Sequence, residues 1–192
     1  MSERIAVYGG SFDPPHVAHV LVACWARVSG DVDRVLVVPT FEHAFGKRSA
    51  PYEDRVTMCE RAFGLVAGCE VSRIEEELGA SRTLPVLQAL HERHPGARFR
   101  LVIGTDILPD TPKWHRWDEV ARLAPPLVVG RAGHEPPADL LAEHGLDALP
   151  LTMPELSSTE VRRRLGAGES VTGMVPTAVA EYVRDRGLYE VA

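Results

Sequence analysis

Short, largely apolar runs that alternate with segments of helical periodicity constrain the fold of this chain more than any other feature. Three of these runs end directly before a glycine or a proline: residues 5–8, 34–38 and 99–103. Segments with apolar residues at helical spacing lie between and beside them: residues 16–28, 52–65 and 84–94. Strands that are buried on both faces form continuous apolar runs, and strands alternating with helices form parallel sheets. The pattern therefore predicts an α/β fold, a doubly wound parallel sheet with helices on both faces.

Weaker signals extend this pattern to the end of the chain. Residues 70–74 and the apolar run at residues 127–129 are predicted as further strands, and helical spacing predicts helices at residues 159–165 and 177–186. A length of 192 residues is enough for one domain with a sizeable core, and neither a repeat nor a low-complexity linker divides it. We therefore expect a single domain over residues 1–192, with a Rossmann-like sheet and a helical C-terminal segment.

Charge and cysteine content exclude several classes of protein. A net charge of −6 argues against a general nucleic-acid-binding protein, which needs a basic face to neutralise phosphates. The chain shows neither a signal pattern nor an apolar run of the roughly 20 residues that a membrane span needs. Its three cysteines show no CxxC spacing, which is typical of reduced thiols in a cytoplasmic protein. The sequence leaves the oligomeric state open, and a homo-oligomer is compatible with it.

Three connections follow the carboxyl ends of the predicted strands, where doubly wound sheets bind their ligands. They span residues 9–19, 39–51 and 104–117. In the first connection, Gly9 and Gly10 allow the backbone to approach a ligand closely. His16 and His19 lie on one face of the helix that follows, near N–H groups that attract anions. This combination is typical of a phosphate site.

Other interpretations of the first connection lack residues that they need. A metal site on His16 and His19 needs further ligands, and the HExxH arrangement is absent. A dinucleotide fingerprint needs G-x-G-x-x-G and a Walker loop needs G-K-[ST], whereas this chain has G-G-S-F-D-P. An isolated histidine pair is more often structural, but this pair follows a glycine turn directly. We therefore expect a phosphate site and no metal ligands on the protein.

Two short strings resemble the signatures of one superfamily. "GGSFDPPHVAH", residues 9–19, resembles the G-G-[ST]-F-D-P-x-H-x-G-H signature of the nucleotidyltransferases with the HxGH motif. About 140 residues further on, "LSSTEVR" resembles their second signature, I-S-S-T-x-I-R, and Ser157 or Ser158 is expected to cap a helix there. Within this superfamily, the chain resembles the bacterial nicotinate mononucleotide adenylyltransferases over nearly its whole length. The resemblance includes "VIGTDILPDTPKWHRWDEV", "APYEDRVTMC", "ASRTLPVL" and the closing "GLY".

The resemblance implies a reaction in which the phosphate of nicotinate mononucleotide attacks the α-phosphorus of ATP. Deamido-NAD and pyrophosphate are the products, and Mg2+ accompanies ATP. The attacking phosphate is already a nucleophile, so the protein needs to supply alignment and charge neutralisation rather than a serine, a cysteine or a general base. The implied partners are therefore ATP and nicotinate mononucleotide.

The same resemblance assigns roles to individual positions. The implied catalytic residues are His16, His19 and Arg162. The residues implied to bind ATP are Gly9, Gly10, Ser11, Phe12, Gly104, Asp106, Ser158 and Thr159. The residues implied to bind the acceptor are Lys47, Thr83 and Trp114. Trp114 would stack on the pyridine ring, although a tryptophan near a helix start is equally compatible with packing.

The chain departs from the family pattern at a few positions. Ala18 stands where the first signature has glycine, and Arg82 stands where the family has a tyrosine beside Thr83. The loop at residues 41–51 reads "FEHAFGKRSAP" instead of containing P-P-H-K. Lys47 therefore matches the family lysine in only one of the possible alignments of this loop. We expect Arg82 to strengthen a preference for an acidic acceptor. The alternatives are a transferase for another acceptor, such as nicotinamide mononucleotide or phosphopantetheine, and a non-catalytic nucleotide-binding regulator.

Overall fold

The computed structural model describes residues 2–29, 32–42, 49–131 and 152–190. Within these residues, six strands form one sheet in which every neighbouring pair is parallel. The strands are β1 (Arg4–Gly10), β2 (Arg34–Pro39), β3 (Cys69–Val71), β4 (Arg98–Gly104), β5 (Pro126–Arg131) and β6 (Thr152–Met153). Their order is β3-β2-β1-β4-β5-β6, the doubly wound order with its switch point between β1 and β4. The predicted Rossmann-like sheet is confirmed.

Seven α-helices lie in the described part of the chain, together with a short 3-10 helix at Leu108–Lys113. They are α1 (Val17–Ser29), α2 (Tyr52–Phe63), α3 (Ile74–Leu78), α4 (Thr83–Arg93), α5 (Trp117–Leu123), α6 (Ser158–Gly166) and α7 (Thr177–Asp185). None of these helices is both long and apolar enough to cross a membrane.

The helices cover both faces of the sheet, and each face has its own core. Consecutive residues of β1 point to opposite faces, so Ala6 belongs to one buried cluster and Val7 to the other. Helices α1, α2 and α7 pack on the first face, for example through Met58. Helices α4 and α5 pack on the second face, for example through Leu87 and Val120. Burial on both faces explains why these strands are continuous apolar runs in the sequence.

One predicted strand is wrong in its second half. Residues 70–74 were expected to be extended, but β3 ends at Val71 and Ile74 begins α3. Ile74 is fully buried while the three glutamates after it supply the first turn of a short helix. That helix ends at Leu78 and is followed by Gly79, whose positive φ of 59° suits glycine. A single buried isoleucine is compatible with either element, and a segment with only two apolar residues among five does not distinguish a strand from a short helix.

Candidate active site

A cleft of about 700 Å³ lies at the carboxyl ends of the parallel strands, where β1 and β4 diverge. The strand ends align there, because Gly10 pairs with Pro39 and Gly104 pairs with Val129. The cleft is lined by every predicted site residue that the structure describes: Gly9, Gly10, Ser11, Phe12, His16, His19, Thr83, Gly104, Asp106, Trp114, Ser158, Thr159 and Arg162. Lys47 lies outside the described residues. Residues 150 positions apart in the sequence therefore share one cavity.

The two glycines that end β1 bring backbone, rather than side chains, to the wall of the cleft. A Cβ on Gly9 would have no heavy atom within 4 Å, so this exposed backbone is open to a ligand. A Cβ on Gly10 would lie 3.0 Å from the ring of Phe12, so a larger residue there would have to displace that ring slightly. Phe12 itself has a positive φ of 46°, and its buried ring packs edge-on against His19 at 5.1 Å. The turn is thus shaped by packing beneath it.

His16 and His19 form a stacked pair at the start of α1. Their ring centroids lie 3.6 Å apart with an angle of 13° between the planes, and His16 is only 5% exposed. The backbone N–H of His16 donates to Nδ1 of His19 at 3.1 Å. Because Nδ1 accepts this bond, the imidazole proton of His19 lies on Nε2. His19, which lines the cleft, therefore carries its N–H donor on Nε2.

The second signature begins α6 and is bonded directly to the first. Ser157 caps the helix by accepting from the N–H of Glu160 at 3.2 Å, which decides between the two candidate serines. Ser158 instead donates to the carbonyl of Pro14 at 2.9 Å. Arg162 donates to the carbonyl of Asp13 at 2.6 Å. The N-terminus of α6 is therefore held against the turn that precedes the histidines.

Two buried charged residues that the sequence analysis did not assign hold the same turn from below. Arg55 is 1% exposed and donates to the carbonyls of Ser11 at 3.0 Å and Ala50 at 3.2 Å. Asp13 is 4% exposed and accepts from the N–H of Ala50 at 3.1 Å and the hydroxyl of Tyr189 at 2.7 Å. The first signature contains Asp13, but its partners are set by the fold. No local pattern identifies them.

The opposite end of the cleft is built from the loop after β2 and the start of α4. Thr83, the first residue of α4, lines the cleft, and no side-chain bond caps this helix. Glu75, which is 9% exposed, accepts from the N–H of Phe41 at 2.8 Å, and Ser81 accepts from the N–H of Glu42 at 2.8 Å. Burial raises the pKa of Glu75, although the bonds from Ser81 and Phe41 oppose the shift.

Arg82 does not join this end of the cleft. Its side chain is exposed and is not among the lining residues, whereas the acidic Glu75 is. The expectation that Arg82 adds positive potential to the acceptor site is therefore unsupported. Any local positive potential comes instead from the N-terminus of α4, whose first N–H groups lack partners within the helix.

Asp106 and Trp114 lie on the third connection, after β4. A Cβ on Gly104 would overlap the Asp106 carboxylate, so a larger residue there would have to displace that side chain. Trp114 is half-buried, lines the cleft, and packs edge-on against Trp117 at 5.7 Å. One part of the ring packs on the core and another part lines the cavity, so the packing role is observed and stacking on the pyridine ring stays a prediction.

No group of three or more histidine, cysteine, aspartate or glutamate side chains in the described residues could hold a metal ion. Of the carboxylates that line the cleft, Asp13 and Glu75 already accept hydrogen bonds from protein N–H and O–H groups. The cleft is also lined by His16, His19 and Arg162, whose N–H groups suit the binding of anions.

The chain is similar to known proteins in both sequence and fold. A family model described as cytidylyltransferase-like matches residues 7–164. A nicotinate-nucleotide adenylyltransferase of Anaeromyxobacter sp. (strain K) is 46% identical over 190 residues, covering 97% of this chain and 96% of its own. One of Myxococcus xanthus is 38% identical over 188 residues, covering 97% and 94%.

Solved structures with a similar fold share much less sequence. The nicotinic acid mononucleotide adenylyltransferase of Plasmodium falciparum, complexed with NaAD, superimposes with a TM-score of 0.83 at 19% identity. The same enzyme complexed with APC gives 0.81, and both comparisons cover 97% of each chain. The likeness to these structures concerns the fold. Together with the extended identity to the bacterial relatives, it leads to one conclusion: this chain belongs to the nicotinate-nucleotide adenylyltransferase family.

Proposed function

We propose that this protein transfers the adenylyl group of ATP to nicotinate mononucleotide, forming deamido-NAD and pyrophosphate in NAD biosynthesis. The observation that carries the proposal is the meeting of two anion-binding segments across one cleft, the His16–His19 pair and the N-terminus of α6. Full-length relatives of the chain bear the name of this activity.

The transfer is a displacement at the α-phosphorus of ATP. A phosphate oxygen of nicotinate mononucleotide forms the new P–O bond, and the bond between the α-phosphorus and its bridging oxygen to the β-phosphorus breaks. That electron pair leaves with pyrophosphate. The protein therefore has to align the two phosphates and neutralise the charge that grows on the leaving group.

The phosphate end of the cleft supplies these functions. Nε2–H of His19 donates to the ATP phosphates, and the fixed tautomer makes it a donor without prior rearrangement. Backbone at Gly9 allows the nucleotide to lie close to the end of β1. The guanidinium of Arg162 and the first N–H groups of α6 add positive potential on the opposite side.

The acceptor end fixes the identity of the second substrate. Trp114 stacks on the pyridine ring, and Thr83 with the N–H groups that begin α4 binds the nicotinate carboxylate. Asp106 accepts hydrogen bonds from ribose hydroxyls. Mg2+ enters with ATP as part of the substrate.

The test is a set of reactions that contain purified protein, Mg-ATP and one phosphorylated acceptor each. Pyrophosphate release is followed for nicotinate mononucleotide, nicotinamide mononucleotide and phosphopantetheine. The proposal expects the highest kcat/KM with nicotinate mononucleotide. Faster turnover of another acceptor would reject the acceptor, and release with none of them would reject the transferase activity.

A further inference from the structure

Asp13 is a buried carboxylate in a site that has to bind anions. It lines the cleft, is 4% exposed, and lies three residues before His16. An ionised carboxylate beside the triphosphate of ATP would repel it, unless protein groups compensate the charge and hold it in place. Binding of ATP therefore requires protein groups that compensate the charge of Asp13.

Three groups face this carboxylate in the described residues. The hydroxyl of Tyr189 donates to Oδ1 at 2.7 Å, and the N–H of Ala50 donates to the same oxygen at 3.1 Å. Nη1 of Arg162 lies 3.6 Å from Oδ2, beyond hydrogen-bond distance, while it donates to the backbone carbonyl of Asp13. The carboxylate of Asp13 is thus held by hydrogen bonds from Tyr189 and the backbone of Ala50, whereas Arg162 makes no hydrogen bond to it.

Tyr189 reaches Asp13 because of how the chain leaves α7. The N–H of Leu188 bonds to the carbonyl of Val183 at 3.0 Å, and Gly187 and Tyr189 both adopt positive φ. This turn brings the phenol 176 residues away in sequence to the first signature. Burial, and then the charge of Asp13, raise the pKa of Tyr189, so its hydroxyl stays protonated and donates at neutral pH.

We propose that Tyr189 is a positioning residue that holds the Asp13 carboxylate away from the phosphates and leaves Arg162 available to them. Without the hydroxyl, Oδ1 keeps one donor, and the carboxylate turns toward its nearest cation, Arg162. That rotation pairs the arginine more fully with Asp13 and brings negative charge toward the leaving group. The proposal rests on the proposed adenylyl transfer and adds a residue to it.

The test compares Tyr189→Phe with a matched control, Tyr182→Phe. Tyr182 also donates to a buried aspartate at 2.7 Å, but that partner is Asp54, which does not line the cleft. Both variants lose one hydroxyl and its bond to a carboxylate, and Tyr182→Phe also loses a bond with Thr57, so a decrease in Tm is expected for both. We expect kcat of Tyr189→Phe to fall about tenfold with an unchanged KM for the acceptor, and Tyr182→Phe to stay within twofold.

A double-mutant cycle separates charge from packing. Asp13→Asn keeps Oδ1 as an acceptor for Ala50 and Tyr189 but removes the negative charge. In that background, Tyr189→Phe is expected to lower kcat less than threefold. A tenfold loss in both backgrounds, or equal kcat for Tyr189→Phe and Tyr182→Phe, would overturn the proposal.

A binding measurement keeps this test separate from the proposed reaction. The Kd of α,β-methylene-ATP, a non-transferable analogue, is measured by calorimetry for the wild type and both tyrosine variants. We expect binding to weaken about fivefold in Tyr189→Phe only. If the wild type binds the analogue but does not transfer an adenylyl group from ATP to any acceptor, the proposed reaction is rejected. The Kd values of the two variants then still test the role of Tyr189. Equal Kd values for the two variants would count against Tyr189.

Discussion

The two ends of the cleft are held together differently. At the phosphate end, direct hydrogen bonds join residues 144, 149 and 176 positions apart: Ser158 to Pro14, Arg162 to Asp13 and Tyr189 to Asp13. At the acceptor end, the bonds from Phe41 to Glu75 and from Glu42 to Ser81 span only 34 and 39 positions. The phosphate end thus depends on bonds between distant parts of the chain, whereas these bonds at the acceptor end join segments closer in sequence. The chain departs from the family pattern in both regions, at Ala18 and at Arg82. The difference suggests that transfer and acceptor choice are separable.

The largest expected effect comes from the phosphate end. Replacing His19 by alanine removes an aligned N–H donor, and we expect kcat to fall about 100-fold or more with every acceptor. Steady-state pyrophosphate release measures this loss. The matched control is His94→Ala, at the other end of the sheet beside Arg34, which should retain wild-type kcat. Activity of His19→Ala within threefold of wild type would remove this histidine from the mechanism.

Acceptor discrimination is the next largest effect. Nicotinamide differs from nicotinate by an amide in place of the carboxylate, and its NH2 group would face the hydroxyl of Thr83 and helix N–H donors. We expect kcat/KM for nicotinate mononucleotide to exceed that for the amide by at least about tenfold. The carboxylate of Glu75 opposes a preference for the acid, and Arg82 does not contribute to it, so the N-terminus of α4 has to provide the preference. Equal kcat/KM values for the two acceptors would show that α4 does not provide it.

A smaller effect is expected where the acceptor end is assembled. Ser81→Ala removes the acceptor for the N–H of Glu42 and a bond to Glu75. Because a net hydrogen bond is worth about 1 kcal/mol, we expect the KM for nicotinate mononucleotide to rise about threefold to fivefold, without a change in the KM for ATP. Ser170→Ala, which removes an exposed bond to Thr172 outside the cleft, is the control. An equal rise in both KM values would contradict the division of the cleft.

The smallest effect is a pH dependence of stability. Burial raises the pKa of Glu75 above its ordinary 4.5, so the folded protein holds this proton more tightly than the unfolded chain. Its contribution to stability is therefore present at low pH and is lost as the pH rises through the folded pKa. We expect the Tm of Glu75→Gln, relative to wild type, to increase by a degree or two from pH 4 to pH 7. A difference that is constant or that decreases would contradict this assignment.

Sequence patterns predicted the residues that line the phosphate end better than the buried residues that hold them in place. The glycine turn and both signatures are local strings, so their place at strand ends and helix starts could be predicted directly. Asp13, Arg55 and Tyr189 act through bonds between distant segments, and nothing near Tyr189 in the sequence indicates a partner at Asp13. Arg82 shows the reverse error, because proximity to Thr83 in sequence did not place its side chain in the cleft.

The same limit applies to secondary structure. The long buried strands β1, β2 and β4 were predicted because burial on both faces makes them continuously apolar. The short helix α3 was missed because only its first two residues are buried and its remaining residues are largely charged. Helical periodicity requires more than five residues to be recognised.

The separation of transfer from acceptor choice is tested most directly by one ratio measured in two variants. The ratio is kcat/KM for nicotinate mononucleotide divided by kcat/KM for nicotinamide mononucleotide. In His19→Ala, both values should fall about 100-fold and their ratio should equal that of the wild type. In Thr83→Ala, the ratio should fall severalfold while the rate with saturating acceptor changes little. A ratio that falls severalfold in His19→Ala, or that equals the wild-type ratio in Thr83→Ala, would contradict the separation of transfer from acceptor choice.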